Sequence, residues 1–265
     1  MFELRSYLLG LALMAAIALV TWSVSAAKRD VGIVDSVWAI FFLAAAALYA
    51  TTVTAPGPRT ALIVTLVAIW ALRLSGYITW RGWGEPEDHR YQTIRRRHEP
   101  NFALKSLYLV FALQAVLAWI VSLPLLGAIA SPAPLNLLDF IGVALWVFGF
   151  LFESIGDFQL AGFKSDPAHR GKVMDQGLWR YTRHPNYFGE FCVWWGFYLL
   201  AAAGGGWWAI ASPLLVSFLL LKVSGVTMLE KDIGERRPGY REYIANTPAF
   251  FPGPVKRART APGTR

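Results

Sequence analysis

The sequence holds a single cysteine, Cys192, so no disulfide can close within the chain. Its four histidines, at positions 89, 98, 169 and 184, are scattered, and no Cys/His spacing resembles a zinc site. No structural metal is expected. Charge is scarce as well, at 16% of 265 residues, where soluble domains carry about 25%. Alternating in/out strand patterns are missing, which argues against a membrane β-barrel. There is no internal repeat and no low-complexity linker, so a repeat array or a second domain is not expected.

What remains is apolar. Hydrophobic residues make up 55% of the chain, and a bilayer core ~30 Å thick needs about 20 of them per helix. Seven segments meet that need: 7–26, 31–53, 61–80, 104–130, 135–159, 186–203 and 207–229. The expected fold is an all-α integral membrane protein, with seven transmembrane helices and cytoplasmic cap loops, forming one domain over 1–255. The tail 256–265, basic with one Lys and three Arg, reads as disordered.

A net charge of +8 raises the question of nucleic acid, but its distribution answers otherwise. The turns "SPAP" and "GGG" carry no positive charge, and only Arg5 and Arg59 fall on their side. Lys28, Arg29, the blocks 81–105 and 164–183 and the tail fall on the other, which the positive-inside rule makes cytoplasmic. A bacterial inner membrane, with the N-terminus outside and the C-terminus inside, is the expectation. The first helix has no basic n-region, since Glu3 accompanies Arg5, so cleavage as a signal peptide is not expected.

The long inner connections carry the chemistry. In "RGWGEPEDHRYQTIRRRHEP", Asp88, Arg90 and Tyr91 sit in a dense mixed-charge setting. The run Arg95 to Arg97 reads either as a phosphate site or as an anchor to anionic headgroups. Glu153 and Asp157 share one helix face, as do Asn186 and Glu190, by four-residue spacing. Pro185 suits a first helical turn, whose free N–H groups, with Arg183 and His184 beside them, suit an anion. Glu190 has two readings, a structural partner for Arg183 or an acceptor for a ligand amide or hydroxyl. Asp35 and Arg73 lie within spans, where charge is costly and often functional. They read as structural glue or as a proton donor and electrostatic clamp beside an apolar substrate.

The stretch "GLWRYTRHPNYFGE", together with "VDSVW", "EDHRYQ" and the Tyr-containing C-terminal segment, resembles the steroid 5α-reductase family in its bacterial DUF1295 branch. The resemblance covers about residues 30 to 252. It implies a seven-helix membrane enzyme that uses NADPH to reduce a carbon–carbon double bond conjugated to a ketone. The absence of a G-x-G-x-x-G turn agrees, because that group does not use the Rossmann fold. By this resemblance Asn186, Tyr187 and Glu190 hold the nicotinamide and ribose, and Arg183 and His184 belong to the same stretch. Asp157, Lys164 and Arg73 match further cofactor positions. Asp88, Arg90 and Tyr91 go with the diphosphate and adenosine, and Arg241 with the basic C-terminal segment. Asp35 matches the family's ketone-polarising acid. The family's tyrosine position falls on Trp70, which has no transferable proton; Tyr77 is the next candidate.

Two other readings stand beside this one. "RHPNY" and "MLEKDIGERRPGYREYIANTP" also resemble isoprenylcysteine carboxyl methyltransferases, which use S-adenosylmethionine; that family does not need "VDSVW" or "EDHRYQ". The other is a non-enzymatic sterol-binding or transport protein; a transporter would show repeats and helices broken near the midplane, and neither is visible in the sequence. The expected partners are a steroid-like or other lipid enone and the surrounding lipids. Nucleic acid is not expected, and neither is an oligomer. Twelve Trp and seventeen Phe suit a flat apolar pocket.

Overall fold

The computed structural model describes residues 2–223, 226, 230 and 239–254. All regular structure among them is helical. Five helices are long and apolar enough to cross a membrane: α1 (Leu4–Lys28), α2 (Ile33–Thr52), α3 (Arg59–Gly82), α5 (Phe102–Ile129) and α6 (Leu137–Ser165). Between α3 and α5 lies a short polar helix, α4 (His89–His98). The chain continues through α7 (Pro185–Ala203), α8 (Trp207–Val223) and α9 (Tyr240–Asn246).

The expectation of seven spans is therefore met at five. α7 has the length, but Asn186, Tyr187 and Glu190 make its first turns polar. α8 reaches only Val223, and most of the remainder of the expected seventh span lies outside the described residues, as does the tail 255–265.

The chain forms two compact units, Met1–Gly142 with Phe197–Ser212, and Val143–Gly196 with Pro213–Arg265. In the first, α1, α2, α3 and α5 pack as neighbours through small residues. Gly10 on α1 is one: a Cβ there would lie 2.6 Å from the Tyr49 hydroxyl of α2, which bonds Ser122 of α5 at 2.9 Å. The short turns are tied by side chains. Arg59, fully buried, grips Asp139 and donates to the carbonyls of Ala133 and Pro134. Ser131 and Asn136 donate to the carbonyls of Gly204 and Ala203.

In the second unit α6 and α7 cross at close range. A Cβ on Gly149 would sit 2.6 Å from the Gly189 carbonyl, and one on Gly156 3.1 Å from the Pro185 ring. This crossing buries Glu153 and Asp157 of α6 against the polar start of α7.

Candidate functional site

Each unit carries its own polar cluster, and the first is built on α4. Asp88 caps that helix by accepting from the Arg90 amide at 2.8 Å, as an N-terminal Asp is suited to do. The cap also orients Arg90, whose guanidinium reaches Asp88 and, at 2.8 Å, Oδ2 of Asp35. The buried Tyr91 hydroxyl donates to Oδ1 of the same carboxylate at 2.5 Å. Both oxygens of Asp35 are thus acceptors, held from one helical turn.

A second buckle lies beside it. Glu87 takes two hydrogen bonds from Arg95, at 2.7 and 3.0 Å, and one from the Val31 amide at 2.9 Å. Arg95 also reaches the Arg29 carbonyl and lies 4.7 Å from the centre of the Phe102 ring. Of the arginine run, Arg95 is therefore an internal tie, while Arg96 and Arg97 are exposed.

The electrostatics agree with this bonding. Burial opposes the charge on Asp88, but the hydrogen bonds and charge of Arg90 outweigh it, and the pKa falls below the usual carboxylate value. Burial likewise opposes the charge on Arg90, and Asp35 and Asp88 raise its pKa regardless. For Tyr91, burial and the Asp35 charge act together, so its phenol stays protonated far above neutrality.

Trp70 is fully buried and packs near the Phe42 ring, two helical turns beyond Asp35 along α2. Arg73 and Arg81 each lie 5.6 Å from the centre of the Tyr77 ring, one turn to either side. Asp35 thus takes as partners Arg90 and Tyr91, the residues that the resemblance gives to the diphosphate and adenosine.

The second cluster surrounds the quoted stretch 177–190. Gly177 has φ +57, and the Gln159 side chain lies where a Cβ would be, its Oε1 accepting from the Leu178 amide. Trp179 is buried and donates to the Gly156 carbonyl at 2.9 Å. The C-terminal segment straps the loop from the other side. Tyr243 donates to the Trp179 carbonyl, Thr182 to Phe250, and the Arg183 amide to Pro248.

Arg183 and His184 point inward. Arg183 forms a bidentate pair with Glu230 at 2.7 and 2.8 Å and donates to the carbonyls of Ile244 and Thr247. His184 Nε2 lies 2.9 Å from the same carboxylate. Burial alone would raise the Glu230 pKa, but the hydrogen bonds from His184 and Arg183 and their charges bring it down to about 2. Sequence reading set Glu190 against Arg183; the observed counter-charge is Glu230. Two cations on a buried loop signal that such a partner is needed, but not which carboxylate supplies it.

Asn186, Tyr187 and Glu190 are left half-exposed on the platform that this loop makes. The Asn186 amide donates to the buried Asp157 carboxylate at 3.2 Å, and the Tyr187 ring stacks on His184. Lys164, at the end of α6, and Arg241, on α9, are both exposed. Among the described residues no group of His, Cys, Asp and Glu is arranged to hold a metal.

Five helices long and apolar enough for a bilayer define a membrane-type helical protein. The family follows from comparison: the chain belongs to DUF1295, described as a protein of unknown function, whose model matches residues 21–247. It is also similar to the uncharacterized protein C594.04c of Schizosaccharomyces pombe, 24% identical over 95% of this chain and 81% of that one. No solved structure matches.

Proposed function

We propose that the chain is a membrane reductase that uses NADPH to saturate the carbon–carbon double bond of an enone lipid, such as a 3-oxo-4-ene steroid. The observation that carries the reading is the Asp157–Asn186 bond, which fixes an amide and, one turn on, Glu190 at the polar mouth of an otherwise apolar helix pair. On this reading α7 and α8 also span the bilayer, and the loops face the cytoplasm.

The residues of the second unit fit the cofactor in part. Asn186, Tyr187 and Glu190 offer the amide, phenol and carboxylate that a carboxamide and ribose hydroxyls bond. Lys164 and Arg241 are exposed cations suited to phosphate. Arg183 and His184 do not fit as ligands, because Glu230 and the C-terminal carbonyls take their donors. When bound, the dinucleotide supplies the hydride for the β carbon of the enone.

In the first unit the task is the ketone oxygen, on which negative charge grows as the double bond is reduced. A preorganised donor there is worth about 3–4 kcal/mol in comparable sites. With both Asp35 oxygens accepting and the single Tyr91 O–H spent on one of them, the donor left at this cluster is the Arg90 guanidinium, whose Nη1 is not used on Asp35 or Asp88. The proton for the α carbon then comes from water.

Purified protein incubated with NADPH and a panel of enones is expected to give products two mass units heavier, with matching NADPH oxidation. Methyl transfer from S-adenosylmethionine to a prenylated thiol, without NADPH oxidation, overturns the reading.

A further inference from the structure

A groove of about 620 Å³ runs between α2 and α3 within the first unit, and neither polar cluster occupies it. Ser36, Val37 and Ile40 form one wall. Leu72, Ser75, Gly76 and Thr79 form the other, and Trp80 and Trp83 flank its end. Its volume falls among those of small-ligand sites, about 300–1,000 Å³. Both helices are long apolar spans, and Leu72 and Trp80 are more than half exposed, so the groove faces hydrocarbon rather than water.

Gly76 separates this groove from an ordinary helix–helix seam. At Gly10, Gly149 and Gly189 a Cβ would strike a neighbour, and the glycine is there to let two segments meet. At Gly76 a Cβ would meet nothing within 4 Å. A glycine inside a helix costs about 0.5–1 kcal/mol relative to alanine, and here no packing explains it. Space does. Ser75 beside it is nine-tenths buried in the groove wall, and its hydroxyl lies beneath the groove surface with no hydrogen-bond partner among the described residues. An apolar trough with such a hydroxyl matches a slender lipid carrying one oxygen.

We infer that the α2/α3 groove seats a membrane lipid, apolar along its length with one carbonyl or hydroxyl oxygen, which arrives sideways from the bilayer. Ser36 follows Asp35 on α2, so one end of the groove lies at the helical turn whose carboxylate holds Arg90 and Tyr91. The inference rests on the reductase reading in naming that lipid as the substrate. The groove itself is tested without turnover.

Full-length protein is photolabelled with a 3-oxo-4-ene steroid bearing a diazirine, and the adducts are mapped by mass spectrometry. Labels are expected within residues 33–52 and 59–83. Gly76→Phe fills the trough from its floor, and Thr79→Phe does so from an exposed position outside the core. Each is expected to lower labelling by about tenfold or more, the scale set by overpacking a fitted site, with NADPH binding unchanged. Labels elsewhere, or both folded variants labelling like the wild type, overturn the groove. If the variants abolish labelling but the wild type reduces no enone, the groove stands and the reductase reading falls. If both variants reduce the steroid with an unchanged KM, the groove falls and the reductase reading stands.

Discussion

Arg59 and Asp139 stand 80 residues apart in the chain and meet through two 2.7 Å hydrogen bonds, with neither side chain more than 3% exposed. Removing one partner leaves an uncompensated buried charge, which costs about 3–5 kcal/mol. Arg59→Met and Asp139→Leu are each expected to lower the melting temperature in detergent sharply. The double variant should recover much of the loss, because two apolar side chains can replace the pair. Single variants that melt like the wild type refute the clamp.

Glu230 gives a pH signature. Its folded pKa of about 2 lies below the ordinary value of 4.5, so its contribution to stability is complete above 4.5 and drains away as pH falls toward 2. The melting temperature should drop over that window. Glu230→Gln should start lower at pH 7 and lose that part of the slope. An identical slope in the variant would reassign the acid sensitivity to other carboxylates.

Binding and chemistry are separable by two substitutions. Glu190→Ala removes an acceptor proposed for the ribose or carboxamide and should raise the NADPH dissociation constant roughly ten- to hundredfold, the loss of one charge-assisted bond of ~1.5–3 kcal/mol. Asp35→Ala frees Arg90 and Tyr91 from their anchor and should lower kcat with little change in NADPH affinity. Tryptophan fluorescence titration and steady-state turnover read the two effects. Normal turnover in Asp35→Ala leaves Asp35 as the tie between α2 and α4.

Orientation is open to a simple check. Reporters fused at Ala55 and at Arg265 should report periplasm and cytoplasm respectively. The same compartment for both would mean an even number of crossings between those points.

Much of the architecture was legible as length and apolarity. Helices α1 to α3, α5 and α6 begin and end within a few residues of the expected spans, because hydrocarbon thickness constrains length directly. The polar start of α7 was legible too, since Pro185 marks it. Partner choice was not. Asp35 takes Arg90 and Tyr91, 55 and 56 residues away, and Arg183 takes Glu230, 47 away. Such pairings depend on how loops fold back, and no local period records that. Arg59 read as a topological marker because a buried, paired guanidinium and a solvated one look alike in sequence.

The inward turn of the stretch 177–184 has a consequence for comparing proteins. Trp179, Thr182, Arg183 and His184 spend their hydrogen bonds on the protein's own backbone and on Glu230. A chain that shares only these letters inherits a mounting bracket. On the function proposed above, which tool hangs from it is decided by the half-exposed residues just beyond, at 186, 187 and 190. Proteins alike in this stretch can therefore differ in reaction, and the two kinds of position should be weighed separately when an activity is transferred from one to another.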